Sequence, residues 1–109
     1  MSEIADLQKR ILAFRDARNW AQFHTPKDLA MCISVEAAEL LELFLWKPPG
    51  EAPIERVREE LADVLGAVLL LAKEFNIDLH QAMVDKLAQN EAKYPVEKSS
   101  GSNKKYSEL

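Results

Sequence analysis

Glu36-Ala37-Ala38-Glu39 and, one helix later, Glu60-Leu61-Ala62-Asp63 each set two carboxylates three residues apart. On an α-helix such a pair leaves from nearly the same face. That face is otherwise apolar. At about 100° per residue, Leu29, Cys32, Ile33, Leu40 and Leu43 fall within roughly 60° of Glu36, and Val57, Val64, Ala67 and Leu71 fall in the same arc around Glu60. Carboxylates turned toward a core are costly unless something compensates them, and four brought together raise one another's pKa values. A hard divalent cation such as Mg²⁺ relieves both costs through oxygen ligands. The pattern predicts a helical bundle with a carboxylate-lined metal site at its centre. Patterning alone leaves a structural or solvated role open, because one E-x-x-E is common in a chain with 18 acidic residues. Glu59 lies four residues before Asp63 and could share its face, whereas Glu42 reads as surface.

The remaining periodicity is helical throughout, and no strand pattern occurs. Ile4, Leu7, Ile11, Leu12 and Phe14 give the segment from residue 3 to about 19 one apolar stripe. Thr25-Pro26-Lys27-Asp28 combines a cap, a first-position proline and a capping-box acid, and so opens a second helix. That helix is expected to run to about Trp46 and to stop at Lys47-Pro48-Pro49-Gly50. Pro53 opens a third helix that Asn76 ends, and Asp78 with Gln81 opens a fourth that ends near Tyr94-Pro95. Residues 1–96 are expected to form the helical domain, and the polar Gly/Ser-rich stretch 97–109 a flexible tail. Lys104, Lys105 and Tyr106 in that tail could fold over bound phosphates as a lid, with disorder the expected state without substrate.

Helix two carries Met31, Leu41 and Leu45 on the side opposite Glu36, and the back half of helix three, Val64 to Ala72, is apolar all round. Helices apolar on every side are buried on every side. One chain of 109 residues has few elements with which to bury them, so a two-fold dimer is expected. The net charge of −4 argues against a nucleic-acid polymer as partner. The longest purely apolar run, Ala67 to Ala72, is too short to span a bilayer. A single cysteine, Cys32, excludes an internal disulfide framework and suits a reducing cytoplasm, and it reads as a small buried hydrophobe.

Two further groups offer ligand chemistry. Trp20, Phe23, His24 and Trp46 could stack on a base, or they could simply pack. Lys86, Asn90 and Lys93 share one helix face, followed by Tyr94; their donors could grip phosphate oxygens, or the face could be solvated. A di-iron bundle is set aside, because it needs Glu-x-x-His and the positions three before His24 and His80 hold Ala21 and Ile77.

Taken together, these residues resemble the MazG-like, all-α nucleoside triphosphate pyrophosphohydrolases, and within them the dCTP pyrophosphatase branch. The resemblance rests on Arg18-Asn19-Trp20-x-Gln22-Phe23-His24-x-Pro26, Glu36-x-x-Glu39-Leu40-x-Glu42-Leu43-Phe44-x-Trp46 and Glu59-Glu60-Leu61-x-Asp63-Val64. It continues in Asp78-Leu79-x-Gln81-Ala82, Lys86-x-x-x-Asn90, Tyr94-Pro95-Val96 and the ending Lys105-Tyr106-Ser107-Glu108-Leu109. It implies a four-helix fold, a tight dimer that commonly pairs into a tetramer, and Mg²⁺-dependent cleavage of (d)NTP to (d)NMP and pyrophosphate in nucleotide-pool house-cleaning. It implies Glu36, Glu39, Glu60 and Asp63 as metal ligands and selects Glu60 over Glu59; of these, Glu36 or Glu39 is the expected general base for water attack on the α-phosphorus. Trp20, His24 and Trp46 are the implied base contacts, and Lys86, Asn90 and Tyr94 the sugar–phosphate contacts, with Lys93 on the same face. One departure is Ala67, which stands where the animal relatives resemble a tyrosine-bearing pattern. The competing class is a non-catalytic helical module that binds nucleotide or a partner helix.

Overall fold

Capping chemistry sets most of the helix boundaries. The computed structural model describes residues 2–109, with every side chain in that span except that of Pro49. Its α-helices are α1 (Glu3–Ala17), α2 (Pro26–Glu42), α3 (Ile54–Glu74), α4 (Leu79–Lys93) and the single turn α5 (Val96–Ser99). Short 3-10 turns lie at Ala21–Phe23, Pro49–Glu51 and Tyr106–Glu108, and no strand occurs among the described residues. Thr25 Oγ1 accepts the Asp28 N–H at 3.2 Å and donates to Asp28 Oδ2 at 2.8 Å, with Pro26 at the first helical position. Asp78 caps α4 by accepting the Gln81 N–H at 3.1 Å.

Two helices end by the same device. Asn19 and Asn76 sit in the left-handed region, at φ 55° and 52°. Behind them the Trp20 N–H reaches the Arg15 carbonyl and the Ile77 N–H reaches the Ala72 carbonyl. Asn19 and Asn76 themselves donate to Asp16 and Lys73. These are complete Schellman closures with asparagine in the position usually held by glycine. The first turns the chain so that Trp20 follows α1 directly.

The end of α2 departs from the sequence expectation. The helix stops at Glu42, not near Trp46. Leu43, Phe44 and Lys47 donate to the carbonyls of Leu40, Leu41 and Phe44 in tightened i→i−3 turns, and Trp46 lies at φ 61°. The chain unwinds through these turns before Pro48 is reached, so Trp46 no longer shares the helix face of Glu39.

The chain through Ile77 forms one compact unit and Asp78–Leu109 another. In the first, α2 packs most extensively on α3, and α1 also lies on α3. Gln8 Nε2 donates to the Leu69 carbonyl at 3.0 Å, pinning α1 to α3. Gly66 lets the two approach, since a Cβ there would meet Ile11 Cδ1 at 3.0 Å. Leu29 (1% exposed), Leu69, Ala72 and Ala67 form the fully buried apolar set. Of the stripe expected on α1, Ile4, Ile11 and Leu12 are half-buried, while Leu7 and Phe14 remain exposed. Met31, Leu41, Leu45, Leu61 and Leu65 also stand exposed. In the second unit, α4 exposes Met83, Val84 and Leu87, and the polar stretch after it contains α5 and the last 3-10 turn. Among the described residues no helix is long and apolar enough to cross a membrane.

Leu29 and Thr25 carry the stability of α2, which presents Glu36. Leu29→Ala is expected to destabilise the protein by about 3 kcal/mol, and Thr25→Ala by about 1 kcal/mol. Shifts in the denaturant midpoint at constant slope check both values, and Thr25→Ser should restore most of the second loss.

Candidate functional site

Helix packing turns the α2 and α3 acids toward each other. One carboxylate oxygen from each of Glu36, Glu60 and Asp63 lies within 4.8 Å of the others. Glu60 is buried, at 6% exposure, whereas the side chain of Glu59 is 68% exposed. The structure thus separates two neighbours that periodicity left equivalent. Glu60 Oε1 faces Arg56 Nη2 at 3.4 Å. Glu60 Oε2 and Glu36 Oε2 are buried without a hydrogen-bond partner among the described residues. Glu39, one turn along α2, is exposed and lies outside this group of three.

Such an arrangement is unfavourable by itself. Burial, foremost, pushes the Glu36 carboxyl from its usual 4.5 up to about 7, and the neighbouring Glu39 side chain and the charges of Asp63 and Glu60 add to the shift. Buried oxygens without donors are expensive. A hard divalent cation resolves both problems. Opposed oxygens at about 2.0–2.6 Å from such an ion stand roughly 4–5 Å apart, which matches the spacing of this cluster. The all-oxygen donor set suits such an ion and is poorly suited to softer metals. The acidic cluster therefore fits a metal.

Beside the acids, in the same unit, opens a cavity of about 330 Å³. Glu36 and Asp63 form part of its wall. Trp20 and His24 also line it, so four of the residues singled out from sequence share one space. The Phe14 and Trp20 rings meet edge-on with centroids 5.8 Å apart. The Arg18 guanidinium stacks 3.7 Å from the Phe14 centroid and donates to the Phe14 carbonyl at 2.9 Å, which holds this aromatic corner. His24 Nδ1 is buried without a partner among the described residues. Trp46, on its left-handed turn, is 98% exposed and is not part of this wall.

Wall residues that the sequence did not mark as functional include Phe14, Arg15 and Cys32. Ile11, Phe14 and Arg15 have i, i+3, i+4 spacing and form one face of α1, of which the apolar stripe takes in Ile11 and Phe14 as packing and leaves Arg15 out. Cys32 corrects an expectation. It is exposed, not buried, because its side of α2 faces the open cavity instead of a filled core. In the second unit Lys86 and Lys93 are exposed, Asn90 is half-buried, and Tyr94 caps the end of α4.

The MazG-like family model matches residues 31–109 of this chain. The chain belongs to that family. Its relatives include dCTP pyrophosphatase 1 of Bos taurus, 39% identical over 97% of this chain and 68% of that protein. The Homo sapiens protein of the same name is 37% identical, over 97% of this chain and 67% of that protein. A crystal structure of a pyrophosphatase from Archaeoglobus fulgidus DSM 4304 superposes with a TM-score of 0.80 at 39% identity, covering 87% of this chain and 94% of that one. This MazG-like chain thus shares its all-α fold with that pyrophosphatase.

The raised pKa of Glu36 has a stability signature. Between about 4.5 and about 7 the folded MazG-like chain holds a proton that the unfolded chain has released. Stability contributed by this group is full below that window and is lost as pH rises through it. In EDTA, unfolding free energy should fall from pH 5 to pH 7.5, and Glu36→Gln should flatten that slope. Denaturant titrations at the two pH values give the comparison.

Proposed function

We propose that this MazG-like protein hydrolyses deoxynucleoside triphosphates, dCTP foremost, to the monophosphate and pyrophosphate. The observation that carries the reading is the convergence of Glu36, Glu60 and Asp63 beside an aromatic-lined cavity whose wall includes Glu36 and Asp63. Likeness to dCTP pyrophosphatases over nearly the whole chain supports the choice of substrate. Mg²⁺ is the proposed ion, held by Glu36, Glu60 and Asp63 with Glu39 at the margin. Bound there, it would neutralise phosphate charge and act as a Lewis acid.

The chain's own residues divide the remaining work. Trp20 offers a ring face to the base, and His24 Nδ1 offers an unused polar atom. Trp46 is proposed as a further base contact by its place in the motif. Lys86, Asn90, Lys93 and Tyr94 are proposed to contact sugar and phosphates through ammonium, amide and hydroxyl groups. Glu39 is exposed and outside the three-carboxylate group, so it is the carboxylate free to take a proton from the attacking water. The water oxygen bonds to the α-phosphorus, the bond from that phosphorus to the bridging oxygen breaks, and pyrophosphate leaves.

Exposed Met31, Leu41, Leu45, Leu61 and Leu65 support a two-fold dimer in solution. A cytoplasmic location, suited to the single free thiol, and a role in clearing the nucleotide pool complete the proposal.

Incubation with each common dNTP and NTP plus Mg²⁺, with products resolved by chromatography, tests the reading. Monophosphate and pyrophosphate are expected, fastest from dCTP and abolished by EDTA. No turnover of any nucleotide would overturn it. Glu39→Gln should lower kcat by about a hundredfold or more, and a wild-type rate would remove Glu39 from its role. Light scattering should give two or, where two dimers pair, four times the chain mass, and a monomer would end the proposal.

A further inference from the structure

The C-terminal unit holds an arrangement that neither the acids nor the cavity explains. Tyr106, in the last 3-10 turn, packs edge-on against Tyr94 with ring centroids 6.1 Å apart at 87°. Lys93 Nζ lies 4.8 Å from the Tyr106 centroid. The chain between these residues folds back on itself to make the contact. Ser99 Oγ lies 2.9 Å from the Tyr94 carbonyl and 2.6 Å from that of Pro95. Gly101 reverses the chain at φ 76°, which a side chain would strain. The Ser102 N–H then donates to the Ser99 carbonyl, and the Glu108 N–H to that of Lys105. A polar Gly/Ser stretch has little of its own to bury, so the Tyr106 ring is the group that anchors this path.

The contact holds a lysine that has no carboxylate partner among the described residues. A free lysine side chain samples many rotamers and gives up that freedom when it binds. An ammonium within about 6 Å of an aromatic face is already restricted, and its N–H donors directed away from the ring stay available. We infer that Tyr106 is a positioning residue for substrate. Its ring holds the Lys93 ammonium beside Tyr94, ready to meet the phosphates of a nucleoside triphosphate. The inference rests on the proposed function, in which Lys93 and Tyr94 contact sugar and phosphate. It assigns the chain's last turn a role in binding through a named lysine, beyond closing the fold.

Three substitutions in the full-length chain, assayed with dCTP and Mg²⁺, decide it. Tyr106→Leu keeps apolar bulk against Tyr94 but lacks a π face, and it should raise KM about three- to fivefold with kcat little changed. Tyr106→Phe keeps the face and should retain the wild-type KM. Lys93→Met should reproduce the KM of Tyr106→Leu, and combining the two should add nothing further. A wild-type KM in Tyr106→Leu overturns the inference, as does an undiminished effect of that change in the Lys93→Met background. If Tyr106→Leu does not fold, a wild-type KM in Lys93→Met alone overturns it. Absence of turnover by the unaltered protein removes the proposed function and this inference together. Normal turnover with an insensitive KM removes the inference alone.

Discussion

Like charges do not gather in the seam between two helices without a cause. Glu36, Glu60 and Asp63 bring one oxygen each within 4.8 Å, and two of the oxygens in that seam have no donor among the described residues. The cost is visible in Glu36, whose carboxyl holds its proton up to about pH 7. The packing around the seam must therefore hold the acids against their repulsion. Leu29, Leu69 and Ala72 bury the apolar surface that does so, Gln8 pins α1 to α3, and Gly66 lets α1 come close. The scaffold thus meets its counter-charge with the ligands already placed, and a cation that binds only the folded state returns stability to it.

The cavity depends on a different constraint, the geometry of a helix end. The left-handed Asn19 closes α1 and turns the chain at once into Trp20. The ring that faces the cavity is therefore fixed by backbone hydrogen bonds and not by a loop's average position. Arg18 clamps Phe14 on the same corner. Preorganised rings of this kind lower the ordering cost of stacking a base.

Much of this was legible where side chains act on their own backbone. The openings at Thr25 and Asp78 and the stop at Asn76 follow from local hydrogen bonding, and the structure places them there. The acid faces were legible from a period of 3.6, but Glu59 and Glu60 lie about 100° apart on α3 and both lie near Asp63, so the packing of α3 on α2 decides which of them turns into the seam. The end of α2 was misjudged because i→i−3 tightening at Leu43 and Phe44 leaves no residue signature, and Pro48 lies several residues downstream. Cys32 and Phe14 looked like core because a helical wheel cannot tell a filled interior from a cavity wall. The family resemblance resolved Glu60 where periodicity alone did not.

The two tryptophans differ in how much water they meet. Trp46 is open to water on nearly every side, while Trp20 packs edge-on against Phe14 at the cavity mouth. Their emission should separate accordingly, a red component quenched freely by iodide and a bluer one quenched less, since Trp20 is 44% exposed. The chain carries no other indole. Its native fluorescence is thus a two-channel signal, one channel reading the cavity and the other reading whatever covers the turn after α2.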